Sequence, residues 1–160
     1  MLDKSQNERV VFSCKVIKFN RFGMQQERNL LLTNLYLCNL KKKTPQRKIP
    51  IAKIRGATKS TIEGAFEFIV HVSKEYDYRF ISKTREEFFE ALKKVYFDYH
   101  RKNLPIYGVP HTKLKEYATA KKDMKKGIEI IPEDKYRLIH EDVYEIQTKK
   151  MGSKPSKPGG

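Results

Sequence analysis

KVIKFNRFGMQQERNLLLTN, residues 15–34, alternates apolar and polar side chains as far as Phe19, breaks at Gly23, and resumes through Arg28 into three successive leucines. Strand, turn and strand is the reading that fits this pattern. Lys15, Lys18 and Arg21 precede the break and Arg28 follows it. A hairpin therefore sets basic residues of two strands against each other, as a site for an anion requires. The bland alternative is an edge hairpin whose lysines discourage aggregation.

Working outward, VVFSCKVIKF (residues 10–19) places Phe12, Cys14, Val16 and Lys18 on one face of a strand. NLLLTN and LYLCNL read as short strands about a tight turn at Thr33-Asn34. KKKTPQRK reads as a basic loop with a proline stop, and IPIAKIRGATKS as a strand broken at Gly56. FEFIVHV alternates again, and YDYRFIS puts Tyr76, Tyr78 and Phe80 on one side of a last strand.

The hydrophobic period then changes from two to 3.6. Phe88, Leu92, Val95 and Tyr99, joined by Phe89 and Tyr96, make the apolar stripe of a helix. Thr84 and Glu87 stand as a capping box, and Glu86, Glu87 and Glu90 precede Lys93 and Lys94 as the helix dipole prefers. A run of short strands must bend or close to hide its edges, and one amphipathic helix can plug the open corner. The expected fold is α+β: a bent, seven-stranded antiparallel barrel capped by a C-terminal helix, the plan of a pleckstrin-homology domain, over residues 8–100.

Residues 101–148 form an extension in this reading. NLPIYGVPHTKLKEY, with two proline breaks, suits an extended segment packed on the domain. Leu114, Tyr117, Ala118 and Met124 suggest a weaker helix ending at Gly127. IIPEDKYRLIHEDVYEI mixes the two periods and is left unassigned. Residues 149–160, KKMGSKPSKPGG, have the composition of a flexible basic tail.

The chain has 160 residues and a formal net charge of +15, with a pI near 9.8. Such a surplus favours acidic partners: anionic lipid, nucleic acid, or an acidic protein surface such as a microtubule. The excess is local. Lys41, Lys42, Lys43, Arg47, Lys48, Lys53, Arg55 and Lys59 fall in one run of 20 residues that contains no acid. Cys14 and Cys38 lack metal or disulfide spacing and read as buried free thiols in a reducing compartment. No apolar run approaches a membrane span and the N-terminus is not a signal peptide, so a cytoplasmic protein is expected.

These blocks together resemble the tail homology 1 domain of class I myosins. The resemblance runs over residues 10–100 and rests on Lys18, Phe19, Asn20, Arg21, Gly23, Arg28, Leu30, Leu31, Leu32 and Thr33, with Phe68, His71 and Val72 later. It implies a pleckstrin-homology fold in a membrane-binding tail. It also implies a phosphoinositide site between the first two strands, at Lys18 and Arg28, with Arg21 in the loop. The family usually has a second cation where this chain has Gln26, and Glu27 adds a negative charge beside it. The Lys41–Lys43 run would add nonspecific attraction to anionic lipid.

Catalysis finds no purchase in the sequence. No nucleophile elbow, phosphate-binding loop or H-E-x-x-H pattern occurs, and His71, His100, His111 and His140 lack metal-ligand spacing. His71 reads as a satisfied strand residue. No cofactor or metal is implied. Lys121, Lys122, Lys125 and Lys126 would suit one basic helix face, yet no base-stacking platform accompanies them, so nucleic acid is disfavoured. The expected function is a non-catalytic module that binds anionic membrane through phosphoinositides. The alternative is an adaptor subunit of a larger cytoskeletal or ciliary microtubule assembly, binding acidic protein surfaces.

Overall fold

Alternation builds the sheet. In β1 (Val10–Phe19) the interior face carries Phe12, Cys14 and Val16, and in β2 (Gln25–Thr33) it carries Leu30 and Leu32. The two strands pair antiparallel, Cys14 opposite Leu30 and Val16 opposite Arg28. The computed structural model describes residues 2, 4–20, 22–131, 136–140 and 143–146, the last two stretches as backbone only. The tail assigned to residues 149–160 lies outside the described residues, and so does Arg21.

The chain continues through β3 (Tyr36–Lys41), β4 (Thr44–Pro50), β5 (Ile54–Ser60), β6 (Glu67–Val72) and β7 (Tyr78–Ile81). Then come α1 (Arg85–His100), β8 (Ile106–Val109), α2 (Lys121–Lys125), β9 (Tyr136–His140) and β10 (Val143–Ile146). One sheet orders the strands β4-β3-β2-β1-β7-β6-β5-β8-β10-β9. The seven strands from β4 to β5 in that order are antiparallel throughout. This is the pleckstrin-homology-like sheet with its C-terminal helix.

Two details of the expected fold are corrected. Strands beyond the seventh exist, because the segment after α1 returns to the sheet and β8 runs parallel to β5. The run read as a basic loop is the hairpin β3–β4, turning at Lys42 and Lys43. Pro45 misled the reading: β4 is an edge strand, where a missing amide donor is tolerated.

α1 closes the bent sheet with Phe88, Phe89, Leu92, Val95 and Tyr96, all buried. Phe68 of β6 meets the rings of Phe88 and Phe89 at 5.5 and 5.4 Å. Of the expected stripe, Tyr96 is buried as expected, while Tyr99 is 56% exposed. The capping box is absent: Thr84 makes no side-chain cap, because its hydroxyl pairs with that of Ser82 at 2.9 Å.

The segment after α1 is buried with the rest. Leu104 and Ile106 join the main core, while Tyr107, Val109, Leu114 and Ala118 pack on Ile69 across the sheet. Gly56 permits this approach. A Cβ there would stand 3.2 Å from both the Pro105 carbonyl oxygen and the Tyr107 ring. The expected helix over Leu114–Met124 is instead a 3-10 turn, Lys115–Tyr117, an extended link, and the five-residue α2.

Leu104 is 1% exposed within the main core, so truncating it leaves a cavity. Leu104→Ala is expected to lower stability by about 2–5 kcal/mol, in one cooperative urea transition. A loss within about 0.5 kcal/mol, ordinary for a surface change, would show that the segment is an appendage.

Candidate functional site

The interior rows of β1, β2 and β4 share an ending. Phe12, Cys14 and Val16 lead in phase to Lys18, and Leu32 and Leu30 lead to Arg28. On β4, Ile49 leads to Arg47, which pairs with buried Asn39 of β3. With a period of two, each row ends in a cation at the same mouth of the bent sheet. Lys18 and Arg28 are both half-buried there.

Local hydrogen bonds fix this hairpin. The Asn20 side-chain oxygen accepts from the amides of Phe22 and Met24, each at 2.9 Å, and Gly23 takes φ +79° to complete the turn. Gln26, where the family usually has a cation, sits opposite Lys18 and accepts from Arg28 Nη2 at 3.1 Å. It steadies the guanidinium in place of adding charge. Arg28 Nη1 also donates to the Glu27 carbonyl at 2.7 Å, and its Nε is buried without a partner among the described residues. The Glu27 side chain pairs in register with Ile17, on the face away from Lys18 and Arg28.

The charge at Lys18 records the crowding. Burial holds its ammonium below the ordinary lysine value, and repulsion from Arg28, Lys121 and Arg47 pushes in the same direction. Lys121 comes from α2, far along the chain. Lys41, Lys42 and Lys43 are exposed on the β3–β4 turn, where the Lys42 carbonyl accepts from Asn29 beside Arg28. At the hairpin tip Phe22 and Met24 are 75% and 65% exposed. The structure thus brings Lys18 and Arg28 together and sets the lysine turn beside them. Arg47 and Lys121 are the residues that sequence reasoning missed. Arg47 lies in phase with Ile49 and Ile51, a signal obscured by reading its segment as a loop.

The profile of unconventional myosin tails, described as actin- and lipid-binding, matches residues 1–152. The chain belongs to this family. Among solved structures, the hSac2 domain from the human phosphoinositide phosphatase Sac2 aligns with a TM-score of 0.53 and 14% identity, over 71% of this chain and 83% of that one. The pleckstrin-homology domain of human oxysterol-binding protein-related protein 11 aligns at 0.48 and 15%, over 56% of this chain and 82% of its own. The carboxyl-terminal domain of pleckstrin gives 0.45 and 17%, over 56% and 99%. No curated protein matches.

Thr58, His71 and Asp77 are linked like a nucleophile, base and acid, with Thr58 Oγ1 2.6 Å from His71 Nε2 and His71 Nδ1 2.9 Å from Asp77 Oδ2. Thr58 and His71 are wholly buried, so no substrate reaches the hydroxyl. His71 is a satisfied strand residue. Among the described residues no three His, Cys, Asp or Glu side chains are grouped to hold a metal ion. An open cleft of about 480 Å³ between the start of β1 and the end of α1 is lined by Arg9, Val10, Lys94, Asp98 and Tyr99, with mixed charge.

The crowding has a measurable signature. The Cε resonance of Lys18 is expected to titrate with a midpoint below 10.5, and any anion that binds beside it to move that midpoint upward by favouring the charged form. The sign follows: anion binding weakens as pH rises through the free-state midpoint, because binding then requires proton uptake. A midpoint at or above 10.5 would contradict the arrangement.

Proposed function

We propose that the chain is a non-catalytic module that binds anionic membrane through a phosphoinositide headgroup, held by Lys18 and Arg28. The observation that carries the reading is the ending of two adjacent interior rows in cations, at one mouth, beside the exposed Phe22 and Met24. A phosphate gains most from donors that the fold has already positioned, since charge-assisted bonds depend on geometry. Two strands and the Gln26 contact supply that positioning.

The tip and the lysine turn fit a bilayer better than a soluble anion. An aromatic ring and a thioether beside the pocket can enter the acyl boundary, full burial of such a side chain being worth about 1.5–3 kcal/mol. Lys41, Lys42 and Lys43 each add about 1 kcal/mol near an anionic surface, and Arg21 shares the tip in sequence. Among the described residues no helix is long and apolar enough to cross a membrane. The family's description as lipid-binding supports the same reading.

An acidic filament is the second reading, and the family's actin-binding description favours it. It would use the same lysine turn without needing Lys18 or Arg28 at the mouth. Nothing in the family's description extends it to microtubules or cilia.

Cosedimentation with vesicles at physiological salt separates these readings. Binding is expected to require phosphoinositide and to fall about tenfold or more in Lys18→Ala/Arg28→Ala. Phe22→Ser/Met24→Ser is expected to weaken vesicle binding while sparing a soluble inositol phosphate. Binding that follows total negative charge and survives the double substitution would overturn the pocket. Cosedimentation with actin filaments or microtubules but not with vesicles would transfer the function to the filament.

A further inference from the structure

We propose that Thr44 is a phosphoacceptor for a proline-directed protein kinase, and that the phosphate offsets the attraction of the Lys41–Lys43 turn for an anionic surface. The acceptor site stands on the β3–β4 hairpin itself, while its effect on membrane contact rests on the anionic-membrane reading.

Thr44-Pro45 is the one place in the chain where a serine or threonine is followed directly by proline. Proline selects the enzyme by what it lacks. A substrate groove that is apolar and offers no acceptor at the following position strands the amide of any other residue, and proline has none to strand. Residues 41–46 are all exposed. Among the described residues the Thr44 hydroxyl has no hydrogen-bond partner, so nothing competes for it.

A kinase groove takes its substrate as extended chain, and the hairpin holds this acceptor loosely. The β3–β4 ladder shifts register between Asn39 and Leu40, so the tip beyond the bulge keeps two residue pairs, Leu40 with Pro45 and Lys41 with Thr44. Pro45 has no amide to give to that ladder. Lys42 turns the corner at φ +57°, a left-handed conformation that is costly for a residue with a Cβ. β4 is the edge of the sheet, so no second neighbour holds it. Opening the tip therefore breaks few bonds and leaves the rest of the sheet paired.

The reaction is phosphoryl transfer from ATP. Thr44 Oγ1 forms a bond to the γ-phosphorus as the bridging oxygen leaves with ADP, and the hydroxyl proton passes to the catalytic carboxylate of the kinase. The product carries about −1.5 to −2 charge at neutral pH. Lys41 faces Thr44 across the strands and Lys43 precedes it, so the phosphate finds cations within its own turn. The run from Lys41 to Ser60 contains no acid. The phosphate is thus the first negative charge in that stretch, and it cuts the positive charge of the three lysines by half or more.

The experiment treats the full chain with ATP, magnesium and a purified proline-directed kinase, and locates the phosphate by mass spectrometry. Cosedimentation then compares modified and unmodified chain on phosphatidylserine vesicles, with and without phosphatidylinositol 4,5-bisphosphate. Phosphate is expected on Thr44, absent from that position in Thr44→Val and at least tenfold slower to appear in Pro45→Ala. Affinity for phosphatidylserine vesicles is expected to fall about tenfold or more on phosphorylation. Thr44→Glu should weaken it severalfold, and Thr112→Glu, an exposed change of equal charge outside the turn, less than twofold. Thermal melts confirm folding of each variant.

No phosphate on Thr44, or equal labelling of Pro45→Ala, overturns the acceptor site. Unchanged vesicle affinity after phosphorylation, or equal effects of Thr44→Glu and Thr112→Glu, overturns the offset at the turn. If the unmodified chain shows no phosphoinositide dependence, the headgroup reading fails while labelling and the phosphatidylserine vesicles still decide Thr44. If it binds neither vesicle, the membrane reading and the offset fail together.

Discussion

The buried carboxylate of Asp77 is the point on which the mouth depends. Its Oδ1 accepts the Val72 amide at 2.9 Å, and its Oδ2 accepts His71 Nδ1 and the Thr119 amide, each at 2.9 Å. A buried charge is tolerable only with such a set of donors. The other ring nitrogen, His71 Nε2, lies 2.6 Å from the Thr58 hydroxyl of β5. One side chain thereby joins β5, β6, the β6–β7 loop and the segment after α1. Tyr76 precedes it directly, and Lys121 follows its partner Thr119 by two residues. The placement of Lys121 beside the Tyr76 ring, on which Arg47 also stacks, is therefore set by a buried polar network.

That network also explains what the sequence conceals. The period of two exposed the strands, and the period of 3.6 exposed α1, because each element buries one face. Lys18 and Arg28 were legible because they continue apolar rows in phase. Arg47 follows the same rule with Ile49 and Ile51, but Pro45 and the three lysines before it have loop composition. An edge strand accepts both. The pairing of Asp77 with Thr119 crosses 42 positions and leaves no local pattern, so α2 and Lys121 had no visible destination. Thr84 and Glu87 matched a cap by spacing, yet Ser82 competes for the hydroxyl, a choice that spacing does not encode.

The acids show how the positive field survives. Glu67 is engaged by Arg79 at 2.7 Å and by the Leu114 amide at 2.6 Å. Glu86 is held by Lys59 and Arg85, each at 2.9 Å, and Glu75 by Lys53. Each of these carboxylates is occupied in joining elements of the fold. Glu27 turns to the other face of the hairpin by the parity of β2. Distribution, more than the net charge of +15, concentrates potential at the mouth: Glu75 bridges Lys53 and Arg47, and the cations ending the β1 and β2 rows, Lys18 and Arg28, are left to face one another.

Gathering like charges in a half-buried place works against folding, and the lowered proton affinity of Lys18 registers that cost. The fold relieves part of it, since Glu75 stands 3.5 Å from Arg47 and Lys121 is exposed to solvent, while among the described residues no carboxylate is paired with Lys18 or Arg28. It stacks Arg47 on Tyr76, braces Arg28 with Gln26, and orders the chain that carries Lys121. Strain maintained by so many supports is what pre-organised anion recognition requires, because the ligand then meets donors already desolvated and aimed. The apolar tip gives the same mouth a direction: an anion presented at a bilayer surface lets Phe22 and Met24 bury as the cations are neutralised, so the two gains arrive in one docking event.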